Sequence, residues 1–132
     1  MKFRLASALL LSGVTLAGTV MTSSPAQAST RTCTAHQFRY DICFDGKNDA
    51  FYVADMVADG RRAVVKWKAF DGSGRSGECH DSNGALNGAT VCDYDFKEGK
   101  NNYVSFMGLT RDGANGKNQD VSLLIIGYIT PR

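Results

Sequence analysis

Between Arg61 and Phe70 the side chains alternate in character. Ala63, Val65, Trp67 and Ala69 are apolar, while Arg62, Lys66 and Lys68 between them are cationic. An extended chain sends successive side chains to opposite faces, so this run reads as one strand with Trp67 toward a core and a basic row toward solvent. The same period of two recurs where Phe38, Tyr40, Ile42 and Phe44 alternate with Arg39, Asp41 and Cys43. No comparable stretch carries the 3.6 period of an amphipathic helix. Further strands are expected over 51–57, 89–96, 103–109 and 120–130, about six in all. Asp45-Gly46 and Asp59-Gly60 supply turn signals. The Gly-rich stretch 71–88 reads as the longest loop, and 111–119 as a hairpin connection. Leu123-Leu124-Ile125-Ile126 in the last strand implies burial on both faces or a change of face. Short strands separated by turns describe an all-β chain, a small antiparallel sandwich or barrel. Gly99 to Tyr103, leading into Tyr103, Ser105 and Met107, resembles the tyrosine corner of immunoglobulin-like sandwiches. That fold is therefore expected, without the antibody-type cysteine and tryptophan spacing.

Residues 1–28 speak to compartment. Lys2 and Arg4 precede an apolar run over 5–20, Ser23, Ser24 and Pro25 break it, and Ala26-Gln27-Ala28 offers an A-x-A site. This is the pattern of a secretory signal peptide cut after Ala28, with an apolar run too short and too weakly hydrophobic to span a bilayer. The expected product is a secreted, extracellular single domain over 29–132, which is 132 less 28, or 104 residues. The cut also removes two cations. The whole chain has 15 Lys and Arg against 13 Asp and Glu, so the exported part has 13 of each. A formal charge of zero argues against nucleic acid and against an anionic membrane surface as partners.

Cys33, Cys43, Cys79 and Cys92 all fall after the cut. An even count in a small exported domain points to two disulfides, and three pairings can be drawn. Cys33–Cys43 with Cys79–Cys92 is preferred because each pair is close in sequence and flanks turn-prone residues. The rival, Cys43–Cys92 with Cys33–Cys79, would staple distant strands. A tetrathiolate zinc site is the alternative use, but no C-x-x-C occurs, and no metal or other cofactor is expected.

No catalytic signature stands out. His80 lies near Cys79, Asp81 and Ser82, yet adjacency in sequence does not make a triad, and His36 reads as surface. Asp93 and Asp95 share a strand face and could act as acid and base, although a solvated face balanced by Lys97 and Lys100 is the preferred reading. Two oxygen-rich loops, 71–78 and Asp112, Asn115, Asn118 and Asp120, suggest calcium only loosely. Arg75 sits where a ligand oxygen would be needed in the first, and calcium is not expected. The basic row Arg62, Lys66 and Lys68, joined by Arg75 and His80, is the candidate partner-binding set. Lysines on an edge strand would also guard against aggregation.

The segments Asp59-Gly60-Arg61-Arg62-Ala63-Val64-Val65, Arg75-Ser76-Gly77-Glu78-Cys79-His80 and Thr110-Arg111-Asp112-Gly113-Ala114 resemble those of small exported proteins of filamentous actinobacteria. Some β-sandwich members of that kind are similar to the adaptor subunit of secreted antibacterial umbrella toxin particles, which links a toxin-bearing stalk to lectin-like subunits. The absent catalytic set, the small size and the aromatic content favour a non-catalytic module that holds another secreted protein, with residues 29–37, short, polar and next to the expected cut, as a free arm suited to strand addition. The alternatives are a small secreted hydrolase using Asp93, Asp95 or His80, and a protease inhibitor presenting the 71–88 loop.

Overall fold

A computed structural model describes residues 31–132, so the leader expected at 1–28 lies outside the described residues. Eight strands follow in order: β1 (Arg31–Ala35), β2 (Tyr40–Asp45), β3 (Ala50–Asp55), β4 (Arg61–Phe70), β5 (Ser76–His80), β6 (Thr90–Asp93), β7 (Tyr103–Asp112) and β8 (Ile125–Tyr128). All pairs are antiparallel. They form two four-stranded sheets, ordered β1-β2-β3-β6 and β5-β4-β7-β8. The chain is an all-β sandwich stapled by two disulfides, with eight strands where about six were expected.

The alternation read from the sequence builds the core directly. Tyr40, Ile42 and Phe44 of β2 and Phe51 and Val53 of β3 meet Ala63, Val65, Trp67 and Ala69 of β4 and Val104 and Phe106 of β7. Trp67 packs against both Tyr94 and Phe96, with ring centroids 4.7 and 5.2 Å away. Each large side chain removed from water in this way contributes about 1.5–3 kcal/mol.

Both missed strands lack an apolar signature. β5 has one buried side chain, Cys79. It also needs Gly77, where a Cβ would stand 2.8 Å from the Trp67 ring, so the glycine that argues for a loop is required by packing. β1 contributes no residue to the core and pairs with β2 alone. Residues 31–35 are therefore not a free arm, because they already form the edge of the first sheet. The expected pairing of cysteines holds. Cys33 and Cys43 face one another across β1 and β2 with Cα atoms 4.0 Å apart. Cys79–Cys92 joins β5 to β6, and thus one sheet to the other.

Aspartates organise the strand ends. Asp45, Asp55, Asp59, Asp71 and Asp81 each accept the backbone amide two residues on, at 2.9–3.1 Å. This is the local bond that makes aspartate a turn residue. All but Asp59 are buried. Asp81 also accepts the Asp55 amide and the Thr90 hydroxyl, anchoring the 81–90 connection to the end of β3.

Three further expectations are revised. β4 is an interior strand between β5 and β7, so its lysines do not guard an edge. Tyr103 is not a tyrosine corner, because its ring stacks on Phe70 with centroids 4.7 Å apart, on the outward face. Leu123, Leu124 and Ile126 are exposed (84, 60 and 48%), whereas Gly127 beside them is buried. No helix among the described residues is long and apolar enough to cross a membrane.

Candidate functional site

The outward face of the second sheet gathers four of the five candidate residues. Register places Arg62, Lys66 and Lys68 of β4 beside Arg111, Met107 and Ser105 of β7. On the other flank, Val64, Lys66 and Lys68 lie beside His80, Glu78 and Ser76 of β5. Arg75, the fifth, stands apart. It donates to the Asp95 carbonyl, sits over the Phe96 ring and pairs with Asp71, all of which fix the β4–β5 turn.

Glu78 organises the basic half of this face. Its two carboxylate oxygens accept the two terminal nitrogens of Arg111 at 2.7 and 2.8 Å, a bidentate pair. Lys66 lies 3.7 Å away, and His80 Nε2 is 3.1 Å from Oε2. The Arg111 bonds foremost, against the opposing effect of burial and with help from His80, hold the Glu78 carboxyl at about 2, far below its usual 4.5. Arg111 is raised in turn by Glu78. Since Arg111 is on β7 and Glu78 on β5, their bond must cross β4 over Val64. Val64 and its register partner Leu109 point outward by strand parity, yet both are fully buried beneath this bridge.

The other half of the face is apolar and open. Phe70, Tyr103 and Tyr128 form one row across β4, β7 and β8, and Lys68, Ser105 and Ile126 form the next. Phe70, Ile126 and Tyr128 are exposed, and Lys68 places its ammonium 5.4 Å from the Phe70 ring centroid. The exposed Val121, Leu123 and Leu124 continue the strip, and residues 121–130 hold no charge at all. Large exposed apolar areas of this kind mark contact surfaces. The sequence reading missed this half because an apolar run looks the same whether a second layer covers it or not.

The remaining candidates are engaged in structure. Asp93 and Asp95 border a shallow hollow of about 410 Å3 with Tyr94 and Arg132, beside β6 of the first sheet. His80 is on the outward face of the second sheet, so the three groups named for hydrolysis do not converge. A hollow of about 560 Å3 opens beside β3 and the 81–85 segment, with Asp55 and Asp81 in its lining and Arg61 and Arg62 beside them. Burial raises the Asp55 carboxyl, opposed by the Val57 amide, and both aspartates are already bonded to backbone amides. In the two oxygen-rich loops, protein donors occupy the carboxylates of Asp71, Glu78 and Asp120. Asp71 bonds Ser73 and the Lys97 amide and is held at about 2, and Asp120 accepts from Thr110 and Arg61. Among the described residues no group of three or more histidine, cysteine or acidic side chains is placed to hold a metal ion. Of the 71–88 stretch, named in the alternative inhibitor reading, residues 76–80 form β5 and are tied by Cys79–Cys92, whereas 82–84 and 86–88 stay exposed. A scan against protein-family models finds no match, and searches of curated proteins and of solved structures likewise find none.

Proposed function

We propose that the protein is an exported, non-catalytic binding module that holds another exported protein through the outward face of its second sheet. The motif resemblance to actinobacterial exported proteins makes an adaptor subunit of a secreted toxin particle the specific form of this reading. Two disulfides suit an oxidising, extracellular setting, where such chains are stabilised by cross-links. The observation that carries the proposal is the uncharged, exposed strip from Val121 to Tyr128 beside Phe70 and Tyr103. Phe70 and Tyr103 stack face to face, at an interplanar angle of 15°, so each covers one face of the other. A protein surface can pack against the ring edges, the uncovered ring faces and the aliphatic neighbours.

Affinity purification of the tagged protein from culture supernatant of its native producer tests this reading. A stable exported partner should accompany the unaltered protein and be lost with the double substitution Ile126→Ser, Tyr128→Ser. Trp67 emission should report an intact fold in both. A partner retained in full by the double variant, or an unaltered protein that always purifies alone, would sink the proposal.

A further inference from the structure

Resting on that reading, we infer the chemistry of the partner: it presents an acidic side chain roughly 10 Å from an apolar one, the acid over Lys66 and Lys68 and the apolar group over Ile126 and Tyr128. The distance follows from register. Lys68 pairs with Ser105, and Ser105 with Ile126, so the cation and the apolar side chain share one row on strands two places apart. Neighbouring strands are separated by about 4.8 Å, which gives the spacing.

Charge selects the occupant. The outward positions of β4, β5 and β7 hold four cations, Arg62, Lys66, Lys68 and Arg111. Among the described residues Glu78 is the one acid on those outward positions, and Arg111 engages both of its oxygens. Among the described residues Lys68 has no acidic partner on this face; its close neighbour is the Phe70 ring. A site of this kind attracts carboxylates and repels cations, and rim charges act chiefly on association rate and specificity. The strip beside it is neutral, so it sets affinity through burial and leaves selection to the lysines. A second copy meets the site poorly, since its own corresponding face is cationic. Just past the end of β8 the Thr130 amide already donates to Gly46 of the β2–β3 turn, which shortens the edge open to pairing. Anionic lipid matches the charge but offers no apolar group held at a set distance from it.

Fluorescence anisotropy with short dye-labelled peptides tests the inference directly. In one peptide phenylalanine and glutamate take turns along a single face, with serine at every intervening position; a second carries lysine and a third glutamine in place of the glutamate. The glutamate peptide should bind on the order of tenfold more tightly than the lysine peptide at low salt, and added salt should narrow the gap. Lys68→Glu should sharply reduce that preference, while Ile126→Ser should weaken all three peptides alike. Equal binding of the three, or a glutamate preference untouched by Lys68→Glu, would overturn the inference. So would Lys68-dependent binding to phosphatidylserine vesicles in preference to every peptide, or self-association that Ile126→Ser abolishes and that excludes the peptides. Should a native partner depend on Ile126 and Tyr128 while the peptides show no charge order, the binding-module reading stands and this inference alone fails.

Discussion

Replacing Glu78 with glutamine should remove a specific, acid-labile share of the stability. The folded-state carboxyl lies at about 2 against an ordinary 4.5, because Arg111 binds it bidentately and His80 and Lys66 stand beside it. A lowering of that size corresponds to roughly 3 kcal/mol at most, at about 1.4 kcal/mol per pH unit. The Glu78 side chain is 29% exposed, so solvent screens part of this, and about 1–3 kcal/mol is expected. The sign follows from the direction of the shift. A carboxyl held low when folded stabilises fully above its unfolded value of 4.5, and that contribution fades as pH falls toward about 2. Urea unfolding followed by emission of Trp67, the single tryptophan, measures the difference. Near neutral pH Glu78→Gln should be less stable than the unaltered protein by that amount. Near pH ~2 the difference should shrink to a few tenths of a kcal/mol, roughly, because the folded side chain is then about half protonated and most of the linked stability is lost. Asp71, also held at about 2, is present in both proteins and cancels from the comparison. A gap of equal size at both pH values would show that shape and not charge is at stake, and would refute the account of the Glu78–Arg111 bridge.

Three other outcomes follow from burial and register. Under graded reduction with alkylation and mass spectrometry, Cys33 and Cys43 should label first, because Cys33 is exposed whereas Cys79 is buried. The loops closed, of 10 and 13 residues, imply that each cross-link contributes about 3 kcal/mol; labelling of Cys79 and Cys92 at the same rate would contradict the structure. Gly127→Ala should lower the melting temperature, since a Cβ there would stand 2.5 Å from Phe44 Cδ1, and overpacking a buried aromatic costs about 1–3 kcal/mol. An unchanged melting curve would mean that Phe44 has room to move. Val64→Ala, although outward by strand parity, should cost about 2 kcal/mol in urea unfolding. A loss near the ±0.5 kcal/mol typical of surface positions would show that the Arg111 bridge does not seal it.

Where a strand buries alternate side chains, its presence and its facing were both legible in the sequence. β4 was read with its observed limits, and the inward set Ala63, Val65, Trp67 and Ala69 is the core set. Alternation is a local signal that comes from the geometry of the extended chain, so no knowledge of neighbours was needed. β1 and β5 carry no such signal. The first is held by backbone pairing, by Cys33–Cys43 and by Arg31, which lies over Tyr52 and bonds Asp45. The second is held by Cys79 and by the approach of Trp67 to Gly77. These are tertiary reasons for being a strand. Leu123 to Ile126 failed in the opposite sense: strong local hydrophobicity implied a covering layer, but β8 is an edge strand and nothing among the described residues covers its outward side.

The charged site was half legible for a related reason. Composition counts charges without showing which are already engaged. Of the 13 acids left after the expected cut, Asp45, Asp55, Asp71 and Asp81 are buried at strand ends and bonded to backbone amides. Those bonds are satisfied within the fold, and buried groups of this kind present little to a partner. Lys66 and Lys68 stay at the surface because β4 alternates. A formal balance of zero is therefore compatible with a face that is locally cationic, and an argument from net charge alone excludes less than it suggests. Glu78, the acid that tempers this face, comes from a stretch whose glycines disguise a strand. Only the pairing of β5 with β4 brings it beside Lys66, and only the reach of Arg111 from β7 across β4 engages both its oxygens. Lys68 is left without an acid because its β5 neighbour is Ser76 and its β7 neighbour is Ser105, two residues that carry no charge. The selectivity of the face thus depends on which neutral residues flank one lysine, a property of register that no single strand contains.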